Sequence, residues 1–498
     1  MYERHRDNGS APVVIFYTDN GIGLGHLTRQ AAIANRARGA FRPSFLTMSA
    51  GYMLMRQLGL PAEYFPSYGA LGIPKQQWEP LVARRLLEAI RLTGASAVVV
   101  DHISPPRIFE SLRASTTGVK FLWSRRGMWQ PDKNRAALDA GKGFDLVVEP
   151  GDLASPLDQG ATVHRRGEVI STDPIVLTDT AEQLPGDEAR DQLRIPRSGP
   201  AYLINLGDPS PAEIARLISH ARSVVEIVSD GPAHFFSPLH PLHGDRIPKV
   251  RRVAMRPVYP VSRFLNAFDG VISSAGYNSF HETVASGLPA VFVPHRGARI
   301  DDQVRRAEFA ALSGRAHWAP DVYDPSFHVA VRRMLRPPEK DIAKRVSAVL
   351  GEMRGARQFA DILADVAITA QLEASGGRAR SDYMADGPDL AFWPPELSDT
   401  HCTLVIALDH DDEQLQELVA TAHSPHLGRL VVLVRHGAPG PLFRKKFVFE
   451  SAMTESEWSA LGRHGYRSYL EARITGMAER YGPRHIITAT PGQDITAE

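Results

Sequence analysis

The chain has 498 residues, 43% of them hydrophobic and 23% charged, which is material for several cores. A rough prior of ~150 residues per domain predicts three or four domains. Its 57 basic and 56 acidic residues leave a formal net charge of +1, which excludes a global field for nucleic acid or membrane. The single cysteine, Cys402, excludes an internal disulfide framework and a multi-cysteine zinc site, and it fits a reducing cytoplasm. Neither the opening MYERHRDNGS nor any window of about 18 residues is apolar enough for a signal peptide or a membrane span, so a soluble, cytoplasmic protein is expected.

In chain order, the apolar runs VVIFYT (13–18), SFLTM (44–48), AVVVD (97–101), KFLWS (120–124) and DLVVE (145–149) read as buried parallel strands. Helical text such as Trp78–Leu92 lies between them, and the alternation predicts a doubly wound α/β domain over 1–178. The polar, proline-containing stretch from 179 to 200 reads as a connector. A second set of strands follows, AYLINL (201–206), SVVEIV (223–228), GVIS (270–273) and AVFVP (290–294), in a domain expected to span 179–373. Its helices from 340 to 372 are expected to close it. The stretch 374–397, rich in Gly, Pro and charge, reads as a linker. Runs TLVIALD (403–409), RLVVLV (429–434) and HIITAT (485–490) predict a small α/β unit over 398–498, of unknown role and partner.

Directly after the first strand comes Gly23-Leu24-Gly25-His26-Leu27-Thr28-Arg29. Glycines permit a tight turn and close ligand approach, and a following helix offers its N-terminal amides. A dinucleotide fingerprint is a poor match. Leu27 or Thr28 stands where the third glycine belongs, and His26 stands where a pyrophosphate wants a small residue. His26 is a candidate general base; the bland alternative is a helix cap. Asp101 ends the strand AVVVD at the crevice edge of a parallel sheet, where it could hold His26 or cap the next helix. Arg125 and Arg126 end the next strand, as phosphate or acceptor contacts or as surface cations in ion pairs.

The second domain carries the strongest pattern, ISSAGYNSFHETVASGLPAVFVPHRGARIDDQ (272–303). Ser274, Gly276, Asn278 and Ser279 stand between a strand and a helix, a compact diphosphate cradle that needs no metal. Glu282 lies one helical turn beyond Ser279, where a carboxylate can accept ribose hydroxyls. Asp302 and Gln303 offer an acceptor and a donor suited to a sugar. The loop at Gly207, after AYLINL, is a further contact candidate for phosphate or base. In the last unit, FRKKFVFESAM (443–453) is a candidate for peripheral contact with an anionic membrane or a partner, against the plainer alternative of a solvated basic turn.

Gly276, Asn278, Ser279, Glu282, Gly287, Pro289, Asp302 and Gln303 follow the donor motif of UDP-glycosyltransferases in order. The motif's histidine is replaced by Ser274 and its tryptophan by Tyr277. Over about residues 12–372 the chain resembles GT-B glycosyltransferases, above all the peptidoglycan N-acetylglucosaminyltransferase family. The resemblance implies two Rossmann-like domains facing a cleft and an inverting, metal-independent transfer of a hexose, such as N-acetylglucosamine, from a UDP-sugar. The acceptor would be a hydroxyl of a small molecule, a glycan or a lipid-linked sugar. It further implies His26 as base with Asp101 as partner, Gly23 and Gly25 in the glycine loop, Asn278 and Ser279 on the diphosphate, Glu282 on the ribose, and Asp302 with Gln303 on the sugar. No cofactor beyond the donor substrate is implied. A UDP-sugar hydrolase of the same fold, in which His26 activates water, is the alternative.

Overall fold

The computed structural model describes residues 11–18, 24–207, 210–229, 231–239, 248–295, 300–336, 353–376, 402–421, 429–435, 442 and 447–491. Gly23, most of the 374–397 linker and residues 443–446 lie outside the described residues.

Three parallel sheets organise the chain. The first is seven-stranded, in the order β3-β2-β1-β4-β5-β6-β7. Its strands are β1 Val13–Thr18, β2 Arg42–Thr47, β3 Ala62–Tyr64, β4 Ala95–Asp101, β5 Lys120–Ser124, β6 Leu146–Glu149 and β7 Ile170–Ser171. Every residue of β1 and β4 is buried, as the unbroken apolar runs require of strands covered on both faces. The second sheet has the order β10-β9-β8-β11-β12-β13. Its strands are β8 Ala201–Asn205, β9 His234–Leu239, β10 Ala254–Pro257, β11 Gly270–Ser273, β12 Ala290–Phe292 and β13 His317–Trp318. The third has the order β16-β15-β14-β17, from β14 Cys402–Ala407, β15 Arg429–Val434, β16 Val448–Ser451 and β17 His485–Thr488. Strand order reverses between β1 and β4 in the first sheet and between β8 and β11 in the second. Those are the points where a crevice opens beyond the strand ends.

Two sequence expectations fail here. SVVEIV is not a strand. It is the end of helix Pro211–Val228, whose buried Ile214, Ile218, Ala221 and Val225 repeat at helical spacing, so the period of the whole segment overrides a local β-branched run. Helix Gly355–Gly376 does not close the second domain either. Its Phe359, Leu363 and Ala367 share one core with Val14, Phe16 and Val99 of the first sheet, so the chain crosses back after the second domain.

The third unit is fused to the first rather than tethered to it. Val405, Val432 and Phe449 belong to the same core as Phe16 and Phe45. The edge strands β3 and β16 face one another. Tyr64 stacks on Phe449 with ring centroids 4.5 Å apart, and its amide donates to the Ser451 hydroxyl at 2.7 Å. An edge that would otherwise be open to pairing is thereby covered. Behind it runs a buried charge cluster centred on Arg473, which reaches Glu63 at 3.0 Å, Glu450 at 2.7 Å and Glu88 at 2.5 Å. Arg480 pairs with Glu450 at 2.9 Å and also with Glu88, and Arg85 holds Glu63 at 2.7 Å. Glu450 lies within FRKKFVFESAM, so the described part of that segment is buried structure.

Candidate functional site

The two switch points face one another across a cavity of about 650 Å³. Lining it from the first domain are Gly25, His26, Thr28, Arg29 and Arg126. From the second come Gly207, Ser274, Gly276, Asn278, Ser279, Glu282 and Gln303, joined by Asp301. The volume suits a ligand of drug or nucleotide size.

Helix Gly25–Asn35 begins just past β1 and places His26 and Arg29 one turn apart on the same side. Both reach Asp101 at the end of the neighbouring β4. His26 Nδ1 lies 2.6 Å from Asp101 Oδ1, while Arg29 donates from Nε to Oδ2 at 2.9 Å and from Nη2 to Oδ1 at 2.6 Å. Arg29 Nη2 also stands 3.2 Å from His26 Nδ1, because both converge on one oxygen. That arrangement assigns the imidazole proton to Nδ1 and leaves Nε2 as the basic nitrogen. Burial works to raise the Asp101 pKa, but Arg29 and His26 outweigh it and hold the carboxyl at about 2. Asp101 is therefore a fixed anion. Burial lowers the His26 pKa below its ordinary 6.5, only partly offset by Asp101. At neutral pH the imidazole is unprotonated, as a base must be.

On the opposite wall, Gly276 caps helix Tyr277–Ser286, whose first turn lines the cavity and makes no side-chain cap bond among the described residues. Its φ is −63°, and a Cβ there would meet only Gln303 Nε2, at an ordinary 3.8 Å. The backbone does not demand this glycine; only an incoming ligand would. At Gly207 the backbone does decide, with φ at +84° and the His295 ring in the way of any Cβ. Asn278 Nδ2 donates across the cleft to the Gly25 carbonyl at 3.2 Å, and Thr28 Oγ1 lies 3.1 Å from Tyr259 Oη. Gln303 accepts from the His295 amide at 3.1 Å. Burial pushes the Glu282 carboxyl up to about 7, against the pull of the Leu177 amide and Ser262.

Asp302 stands elsewhere than the sequence suggested, Arg125 takes the ion-pair alternative in buried form, and Tyr277 acquires a role the sequence did not assign. Asp302 caps helix Gln303–Leu312 by accepting from the Arg305 amide at 3.1 Å, and it is its neighbour Asp301 that lines the cleft. Arg125 is spent on Glu149, at 3.0 and 2.7 Å, and takes no part in the cavity wall. Tyr277 lines the cavity, yet its hydroxyl donates to the Gly151 carbonyl at 2.8 Å and accepts from the Ile175 amide at 3.0 Å. Its ring lies beneath Arg29 and Arg306, at 5.2 and 5.7 Å. It is an anchor between the domains. Arg306 completes that anchor, pairing with Asp152 at 2.7 Å and Asp301 at 2.9 Å.

Sequence reasoning missed Asp301 and the role of Arg29. The spacing of Arg29 three residues after His26 was the available signal; for Asp301 there was none, since two adjacent aspartates differ only in which way the loop turns them.

No protein-family model matches the sequence, and no curated protein does either. Among solved structures the chain is similar to the spinosyn forosaminyltransferase SpnP, at 15% identity over 72% of this chain and 100% of that one, with a TM-score of 0.50. Two further similar structures are the glycosyltransferase SnogD from Streptomyces nogalater and MurG from Acinetobacter baumannii. SnogD shares 16% identity over 72% of this chain and 100% of its own, with a TM-score of 0.48, too low to carry weight. MurG shares 15% over 72% and 99%, with a TM-score of 0.42, and is equally weak. At such identity the likeness to SpnP establishes the fold alone. The chain has the GT-B fold, two Rossmann-like domains about a cleft, with a third parallel sheet added.

Proposed function

We propose that the protein is a glycosyltransferase moving a hexose from a nucleotide sugar, a UDP-sugar in the first instance, to an acceptor hydroxyl with inversion at the anomeric carbon. The observation that carries this reading is the His26–Asp101 pair, 2.6 Å apart, facing the N-terminus of helix Tyr277–Ser286 across one cavity. SpnP, which shares the fold, is by its name a sugar transferase.

In the mechanism, His26 Nε2 takes the proton of the acceptor hydroxyl as its oxygen attacks the anomeric carbon from the face opposite the leaving group. Asp101 holds the ring and stabilises the imidazolium that forms. The bond to the nucleotide diphosphate breaks as the new glycosidic bond forms. The departing charge falls on amides preorganised at the helix start, with Ser274, Asn278 and Ser279 beside them. Glu282 serves the ribose and Gln303 the sugar. Because those dipoles take the charge, the reaction as proposed does not call on a metal.

The test is nucleotide diphosphate release from UDP-, TDP- and GDP-sugars, with and without a panel of hydroxyl acceptors. Acceptor-dependent release with an inverted product supports the reading. Release that ignores every acceptor would transfer the same site to a hydrolase, and no release or binding with any donor would sink both.

A further inference from the structure

Three arginines stand around the cleft, and they are not equivalent. Arg29 gives two donors to Asp101, and Arg306 spans Asp152 and Asp301. Arg126 follows β5, two residues past Ser124, which pairs with Asp101 in the sheet. Its side chain is only 12% exposed, yet its one hydrogen bond among the described residues is a long one, Nη1 to Asp301 at 3.3 Å. Its buried Nε has no hydrogen-bond partner among the described residues. The Asp301 carboxylate is meanwhile already held by Arg306 at 2.9 Å. A nearly buried guanidinium on a cavity wall, with one long bond and an unused donor among the described residues, is better satisfied when an anion arrives.

Its position says which anion. Asp301 is two residues from Gln303, whose amide packs toward Gly276 at the start of helix Tyr277–Ser286, and Arg126 is also close enough to His26 to bear on its charge. Arg126 thus lines the same cavity as the base and the diphosphate cradle, contributed by the domain opposite the cradle.

We infer that Arg126 is an anion-binding residue of the cleft, reaching across from the first domain to bind a phosphate or carboxylate of a substrate, in the first instance the donor's diphosphate. This rests on the nucleotide-sugar reading above.

Calorimetric titration of the full-length protein with UDP, TDP and GDP, and with the corresponding nucleosides, tests the inference. Arg126→Gln is expected to weaken nucleoside diphosphate binding about tenfold or more while changing nucleoside binding less than twofold, with partial recovery in Arg126→Lys. A second arm titrates inorganic phosphate into protein saturated with nucleoside diphosphate; binding there that Arg126→Gln abolishes, with diphosphate affinity unchanged, assigns the anion to the acceptor instead. Asp301→Asn removes the cross-cleft pair but keeps the cation, and is expected to preserve diphosphate affinity. The inference is overturned if Arg126→Gln alters neither arm, or if Asp301→Asn reproduces its loss, which would make the pair a structural brace. Failure of the wild type to bind any nucleotide counts against the nucleotide-sugar reading; inorganic phosphate is then titrated into the free protein, where binding that Arg126→Gln abolishes keeps the inference and no binding, or binding that Arg126→Gln leaves unchanged, overturns it.

Discussion

Two of the buried clusters of arginines and carboxylates among the described residues teach by contrast. At the junction with the third unit, Arg473, Arg480 and Arg85 meet Glu63, Glu88 and Glu450, with the Tyr469 and Tyr481 hydroxyls donating to Glu63 and Glu450. That cluster is closed: protein surrounds it, and no member lines the cleft. At the cleft, Arg29 and Asp101 form an equally dry pair, but the third member is an imidazole with one nitrogen left over. Charge enclosed by protein away from the cleft holds the fold. Charge that leaves one group unanswered at a cavity wall is available for chemistry.

The sharpest break of the closed cluster is to remove its C-terminal half. A chain ending at residue 376 strips Glu63 and Glu88 of Arg473 and uncovers the β3 edge. It is expected to yield no soluble folded protein, as judged by expression and size-exclusion chromatography. A milder version, Arg473→Ala in the full chain, is expected to cost about 3–5 kcal/mol in denaturant unfolding, since it leaves carboxylates buried without their cation. An outcome within experimental error of wild type in either case would return the third unit to the status of a tethered module.

At the open cluster the effect is on rate. His26→Ala is expected to lower turnover about 10²–10⁴-fold while the unfolding midpoint hardly moves. Wild-type kcat/KM should hold up down to an acid limb below pH 6.5, because burial lowers the His26 pKa and the base works only when unprotonated. Asp101→Asn removes an anion that raises that pKa, so the limb should move to still lower pH as turnover falls. An unmoved limb would detach Asp101 from the imidazole.

The smallest effect concerns Glu282, a cleft carboxylate that no arginine answers. Burial raises its folded pKa to about 7 against an ordinary 4.5, so the folded state keeps a proton that the unfolded state releases in between. Stability from this group is therefore fully present below pH 4.5 and is lost as pH rises towards 7. Glu282→Gln should flatten the fall in Tm across that window relative to wild type; parallel curves would show that the carboxyl is already ionised.

Much of this was legible in the chain itself. The runs VVIFYT and AVVVD read as buried strands and are, and the glycine, asparagine, serine and glutamate from 276 to 282 marked a helix start that stands on the cavity wall. Local polymer physics suffices there, because strand burial and helix capping depend on near neighbours. It did not suffice for the helix Gly355–Gly376, whose amphipathic face fits either domain, or for SVVEIV, whose six residues carry both periods. Nor could it say that Asp301 rather than Asp302 faces the cleft, that Arg125 is spent on Glu149 while Arg126 is not, or that the last hundred residues share a core with the first. Each of those is settled by which distant surface a side chain meets, and pairs such as Glu63 with Arg473 come together only when the sheets have packed.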